Sequence, residues 1–150
     1  MWTYEGKPIQ SIVDLPKHDE LVGFCYKITN MKTGSIYIGK KNFYTERKKK
    51  LTKKEIAALP DKRFKHHRHV KAESNWKNYY GSSKQLQEDM RRLGAGTFTR
   101  EIIHLATTKK YLTYLELQYQ FQYKVLSINS YNANILGRFY ACDIEKVDAA

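Results

Sequence analysis

The sequence predicts an α+β fold: a small, mainly antiparallel sheet that opens with a β-hairpin and is flanked by helices. Three observations carry this. Residues 22–29 alternate, with Phe24, Tyr26 and Ile28 on one face and Cys25 and Lys27 on the other, the period of a half-buried strand. Residues 35–39 form a second short run after Asn30-Met31-Lys32-Thr33-Gly34, turn chemistry in which Gly34 is free to take a positive φ, so the two runs pair as an antiparallel hairpin. Further on, Leu112, Leu115, Tyr119, Tyr123 and Leu126 recur at helical spacing.

The remaining elements follow in order. Residues 1–21, with Trp2 and Tyr4, read as a small packing cap in front of the hairpin. Thr52-Lys53-Lys54-Glu55 has the spacing of a capping box and predicts a short helix that Pro60 ends. Ser82 and Ser83 are N-cap candidates for a helix over 84–93, stopped by Gly94 and Gly96. Residues 98–105 read as a third strand. Thr107 or Thr108 caps a long helix over 109–126, and 127–140 return as loop and irregular strand. With no repeat and no low-complexity linker, 1–150 reads as a single domain.

A chain of 150 residues with 41% hydrophobic and 28% charged residues has the composition of a globular domain large enough for a real core. Its charge is less ordinary. Lys and Arg number 27 against 15 Asp and Glu, a net charge of +12, with a pI of about 9.6. A neutral substrate does not call for that imbalance, so nucleic acid is the first candidate partner and an anionic membrane surface the second. The charge is concentrated: from Arg47 to Lys71, eleven cationic side chains face only Glu55 and Asp61, which places +9 of the +12 in this stretch. Lysine and arginine in such a run track phosphates and release counterions when they bind; otherwise the run is a solvated basic loop.

No apolar run approaches the roughly 18 residues of a membrane span, and the N-terminus lacks the apolar core of a signal peptide. Cys25 and Cys142 lie far apart and form no CxxC pair, which gives no support to a zinc finger. The expectation is a cytoplasmic protein with two free thiols. His66 and His69 have His-x-x-His spacing, but the surrounding positive charge disfavours a cation there.

Two tyrosines, Tyr26 and Tyr37, stand on the two hairpin strands, in Phe24-Cys25-Tyr26 and Tyr37-Ile38-Gly39. This pattern resembles the GIY-YIG nuclease family: the second motif is intact, and the first departs from Gly-Ile-Tyr but keeps its tyrosine. The resemblance extends over about residues 22–135. It places an arginine on a helix after the second motif, where Arg47 stands eight residues past Gly39. It continues through Gly81-Ser82-Ser83, a strand, a helix carrying Glu116, and the pair Tyr131-Asn132. Tyr37-Ile38-Gly39-Lys40-Lys41, Trp76-Lys77-Asn78-Tyr79-Tyr80-Gly81-Ser82-Ser83 and Tyr131-Asn132-Ala133-Asn134 look most like free-standing, phage-encoded Seg-like homing endonucleases. Leu51 stands where many members carry a histidine or tyrosine, and Gly81 where the homing branch can have a histidine; His66, His67, His69 or Lys40 are candidates for the missing auxiliary group.

The resemblance implies a metal-dependent endonuclease that hydrolyses phosphodiester bonds in double-stranded DNA in the cytoplasm, that of a bacterial host if phage-encoded. Tyr26, Tyr37, Arg47, Glu116 and Asn132 would form its catalytic set. One Mg²⁺ or Mn²⁺ per site would be held by Glu116, because Mg²⁺ keeps several waters and needs few protein ligands. Arg47 would offer a bidentate fork to phosphate oxygens. A free tyrosine has a pKa of about 10, too high for an efficient base at neutral pH; Lys40, Lys41 or the metal would favour the tyrosinate, and either tyrosine could take the proton. Lys40, Lys41, Lys48, Lys49, Lys50, Lys53 and Lys54 are the candidate DNA contacts. An oligomer or a protein partner could add specificity. Two other readings compete: a catalytically inactive nucleic-acid-binding module on the same scaffold, and a basic structural protein that packs on RNA.

Overall fold

The structure, a computed structural model, describes residues 1–61 and 67–145, the side chains of 47, 48 and 67–69 excepted. The expected hairpin is present as β3 (Gly23–Asn30) and β4 (Ile36–Asn42), paired antiparallel so that Tyr26 faces Gly39 and Ile28 faces Tyr37. On the other side of β3 lies the third strand of the central sheet, Phe98–Ala106, again antiparallel.

The N-terminal segment contributes strands to the sheet: β1 (Trp2–Tyr4) and β2 (Lys7–Ile9) form a hairpin, and β1 runs parallel to Phe98–Ala106. Three-residue strands are too short to display a period in sequence. Burial explains why they dock. Trp2 is buried, its ring meets Phe24 at 5.0 Å and Tyr26 at 5.3 Å, and its indole N–H donates to the Trp76 carbonyl at 2.7 Å. Such aromatic pairs add about 0.5–1.5 kcal/mol each beyond area burial.

After β4 the chain leaves the sheet. Among the described residues, Tyr44–Lys50 (β5) and His67–Glu73 (β6) pair only with each other as a two-stranded antiparallel ribbon, and the short helix α1 (Lys53–Ala57) lies between them in sequence. The sequence reads this stretch as a basic loop with one helix, and the resemblance places Arg47 on a helix; Arg47 lies instead on β5, opposite Val70. Consecutive lysines hide a strand's alternation, since no apolar face marks it. The ribbon's base is fixed by Phe43, fully buried against Phe24 and Trp76, and by Ser74, whose N–H donates to the Phe43 carbonyl at 2.8 Å and whose hydroxyl donates to the Asn42 carbonyl at 2.6 Å. With the ribbon numbered, Phe98–Ala106 is β7. Among the described residues, the main sheet has the order β2-β1-β7-β3-β4, with β4 at one edge.

The helices start where their caps predict. Thr52 accepts from the Glu55 N–H at the start of α1, Ser83 from Leu86 at the start of α2 (Lys84–Leu93), and Thr108 from Tyr111 at the start of α3 (Lys109–Gln122). α3 ends before the expected residue 126. Lys124 takes a left-handed φ of 52°, which breaks the helix while Val125 and Leu126 still turn inward and stay buried. The two sheet faces carry separate cores. Phe24, Tyr26 and Ile28 pack with Trp2, Trp76 and Leu86 of α2, whereas Cys25 and Ile38 pack with Leu112 and Leu115 of α3. A small pair, β8 (Asn134–Ile135) and β9 (Phe139–Tyr140), forms the irregular strand expected near the C-terminus. Among the described residues, no helix is long and apolar enough to cross a membrane.

Candidate active site

An edge strand exposes N–H and C=O groups along its outer side. On β4 that row is met by side chains and loop backbone. The Tyr131 N–H donates to the Ile36 carbonyl at 2.8 Å. Asn132 accepts from the Ile38 N–H at 2.9 Å and donates to the Ile38 carbonyl at 2.8 Å, so its amide pairs with both polar groups of one residue as a neighbouring strand would. Gln120 of α3 also donates to the Ile38 carbonyl, at 3.3 Å. One residue pair further along, the Lys40 N–H donates to the Glu116 carboxylate. The edge of the second tyrosine motif is thus the seam where α3 and the 130–132 loop meet the sheet.

A cavity of about 570 Å³ opens at this seam, lined among others by Tyr37, Ser82, Glu116, Gln120 and Asn132. Tyr37 reaches it from β4, with its hydroxyl 3.0 Å from the Ser82 Oγ. Gly81, at φ +87°, lets the chain turn there, and a Cβ on it would meet the Tyr37 ring at 3.0 Å. A homing-type histidine at 81 would need a left-handed backbone and a shift of the Tyr37 ring. The approach of residues 77–80 is set by Arg100. Its buried guanidinium stacks between Trp2 and Tyr80 and donates to the Lys77 and Tyr79 carbonyls.

Tyr26 is placed differently from Tyr37. It is 1% exposed, hydrogen-bonded to Tyr79, and packed on the Tyr37 ring with centroids 6.1 Å apart; it does not line the cavity. Its hydroxyl occupies the space over Gly39, where a Cβ would come within 2.5 Å of the oxygen. That contact explains why the Tyr-Ile-Gly motif ends in glycine.

The electrostatics correct one expectation. Lys40 Nζ donates to Thr113 Oγ1 at 2.7 Å and Lys41 sits 4.1 Å over the Tyr79 ring, while the influences on the Tyr37 hydroxyl come from burial, Ser82, Tyr79 and Glu116. Burial raises the Tyr37 pKa above the usual tyrosine value; the hydrogen bond to Ser82 opposes the rise, while Tyr79 and Glu116 add to it. Tyr26 is pushed up much further, chiefly by burial. Burial also raises the Glu116 pKa, with the charge and N–H of Lys40 pulling it back.

Tyr37, Glu116 and Asn132 are thus brought together, with Tyr26 beneath them. Of the catalytic set the resemblance implied, Arg47 has a described backbone position on β5, and its side chain lies outside the described residues, as do His66 and the side chains of Lys48, His67 and His69. Lys49, Lys50, Lys53 and Lys54 are exposed. Among the described residues, no three His, Cys, Asp or Glu side chains group as a metal site. The Glu116 carboxylate suits an ion that needs few protein ligands, because the Lys40 N–H takes one of its roughly four acceptor positions and the cavity lies beside it. Sequence reading gave Ser82 only a capping role and overlooked Gln120; no local pattern reveals that either reaches β4.

A family model described as the GIY-YIG domain of the putative endonuclease segE matches residues 2–140. The chain belongs to this GIY-YIG family. The match takes in the N-terminal strands and the ribbon as well as the hairpin. The α+β architecture, with its mixed five-stranded sheet, is that of a GIY-YIG domain. The GIY-YIG family is one of endonucleases, which makes nuclease chemistry the activity its members share and DNA their expected substrate. No curated protein and no solved structure matches this GIY-YIG chain.

Proposed function

We propose that the chain is a metal-dependent endonuclease that hydrolyses phosphodiester bonds in double-stranded DNA, of the phage-encoded homing type its Seg-like motifs resemble. The observation that carries this is the meeting of the Tyr37 hydroxyl and the Glu116 carboxylate at one cavity, delivered by a strand and a helix far apart in sequence. Hydrolysis needs an oriented water, relief of charge on the phosphate, and help for the leaving oxygen.

Tyr37 orients the water. Its raised pKa keeps it protonated at neutral pH, so it acts as a hydrogen-bonding hydroxyl. When it donates to Ser82, its lone pairs face the cavity and accept from a water. Tyr26, buried and bonded to Tyr79, holds the Tyr37 ring in place. Asn132 and Gln120 hold Ile38, and with it the strand that carries Tyr37. Glu116 would hold a Mg²⁺ or Mn²⁺ ion, which when bound supplies Lewis-acid stabilisation of charge on the phosphate and the departing oxygen. By family resemblance, Arg47 takes the non-bridging oxygens.

The test is conversion of supercoiled plasmid by the purified chain. Cleavage should appear with Mg²⁺ and vanish with EDTA. Binding without cleavage in every divalent metal tried would replace this reading by that of an inactive binding module.

A further inference from the structure

The two ends of the basic stretch lie in β5 and β6 and pair as a ribbon, and its register is costly. Lys48 stands opposite His69, Lys49 opposite Arg68 and Lys50 opposite His67. Lys49 and Arg68 are like charges directly across the ladder, which destabilises it, and an isolated two-stranded hairpin is at best marginal in water. The acidic residues lie towards the base, where Glu46 faces Lys71 and Glu73 accepts from the Trp76 indole at 2.9 Å. The base is stiffened further by Lys71 stacked 4.1 Å over Tyr44 and by the Phe43–Ser74 closure. The result is an arm anchored at its base and cationic beyond it. A polyanion would remove the repulsion.

Which polyanion follows from shape. Seven residues per strand span roughly 23 Å at about 3.3 Å each. The B-DNA major groove, about 12 Å wide and 8.5 Å deep, admits a two-stranded β-ribbon, whereas the minor groove, about 6 Å wide, is too narrow. The major groove of A-form RNA is deep and closed to side chains. We infer that the β5–β6 ribbon lies in the major groove of B-form DNA and positions the nuclease there. This rests on the DNA-cleaving reading and adds where, and with which element, the duplex is held.

The test uses the full chain in EDTA with a 30-base-pair DNA duplex and an RNA duplex of the same sequence. Lys49→Glu with Lys50→Glu reverses two charges on the ribbon; Lys7→Glu with Lys32→Glu reverses two exposed charges elsewhere. The ribbon pair should not unfold the arm, because Lys49→Glu creates an opposite-charge pair with Arg68 in the register. Expected are DNA affinity at least about tenfold above RNA, a loss of at least about tenfold for the ribbon pair, and less than about threefold for the control pair. The wild-type chain should displace methyl green, a major-groove dye, and leave netropsin in the minor groove. Equal affinity for RNA, equal losses from the two charge reversals, or displacement of netropsin with methyl green retained would each overturn the inference. Plasmid cleavage in Mg²⁺ reads the nuclease proposal separately: cleavage with a failed groove test removes the ribbon's role alone, and groove binding without cleavage removes the catalytic role alone.

Discussion

Glu116 combines a cost to stability with the proposed metal-holding role. Burial raises its pKa in the folded chain, so the folded state binds a proton more tightly than the unfolded one. Its contribution to stability is therefore full below the ordinary carboxylate pKa of about 4.3 and is lost as pH rises through the folded value. Glu116→Gln keeps the acceptor for the Lys40 N–H and removes the charge. The variant should melt above wild type at pH 7, with the gap closing below about pH 4, as read by thermal denaturation across pH. Its plasmid cleavage should collapse while DNA affinity holds or tightens, because affinity comes mainly from Lys and Arg contacts to phosphate. The two tyrosines can be separated in the same assay. Tyr37→Phe should lose at least about a hundredfold in cleavage rate with little change in stability. Tyr26→Phe removes a buried hydroxyl bonded to Tyr79 and should cost about 1 kcal/mol in urea denaturation with the smaller loss of rate. The reverse order of rates would make Tyr26 the water-orienting group.

At the level of elements, what the sequence discloses depends on the range of the force that shapes each one. The hairpin, α2, β7 and the start of α3 are legible because alternation, helical spacing and caps at Ser83 and Thr108 act over a few residues. β1 is held by Trp2 inserting among Phe24, Tyr26 and Trp76, the last 74 residues away, contacts that no local window contains. β5 is hidden by its run of cations, 47–50, and β6 by polar residues around Val70 that mark no apolar face. The candidate site divides in the same way: Tyr37 and Glu116 stand in recognisable motifs, whereas the Ser82 contact to Tyr37 is purely tertiary. Asn132 is visible in a Tyr-Asn pair, yet its task is readable only in space, where it serves as a one-residue neighbour strand to Ile38. Asn132→Ala leaves both polar groups of Ile38 without that partner beside a buried side chain. It should cost about 1–3 kcal/mol in denaturant unfolding and reduce cleavage through displacement of β4. An unchanged midpoint would mean that Gln120 and water suffice to hold this edge.

At the scale of the whole molecule the charge is the dominant asymmetry, since most of the +12 lies between residues 47 and 71. Two arrangements of that charge predict different salt behaviour. A solvated basic surface raises affinity through a diffuse field, which salt screens over about 8–10 Å. Lysines seated on phosphates instead release condensed counterions, and each contact contributes about −0.9 to the slope of log K against log salt. Replacing Lys48, Lys49, Lys50, Lys53 and Lys54 together by Ala removes five charges from β5 and the start of α1 while leaving Phe43, Ser74 and Trp76 to hold the ribbon's base. If these lysines touch phosphate, affinity should fall on every DNA sequence tried, and the slope should flatten by about one unit per lost contact, measured by fluorescence anisotropy between about 50 and 200 mM salt. If they form only a solvated surface, the five replacements should change affinity little and leave the slope near its wild-type value. The slope, more than the affinity, separates contact from field, because only a lysine seated on a phosphate displaces the counterions condensed there.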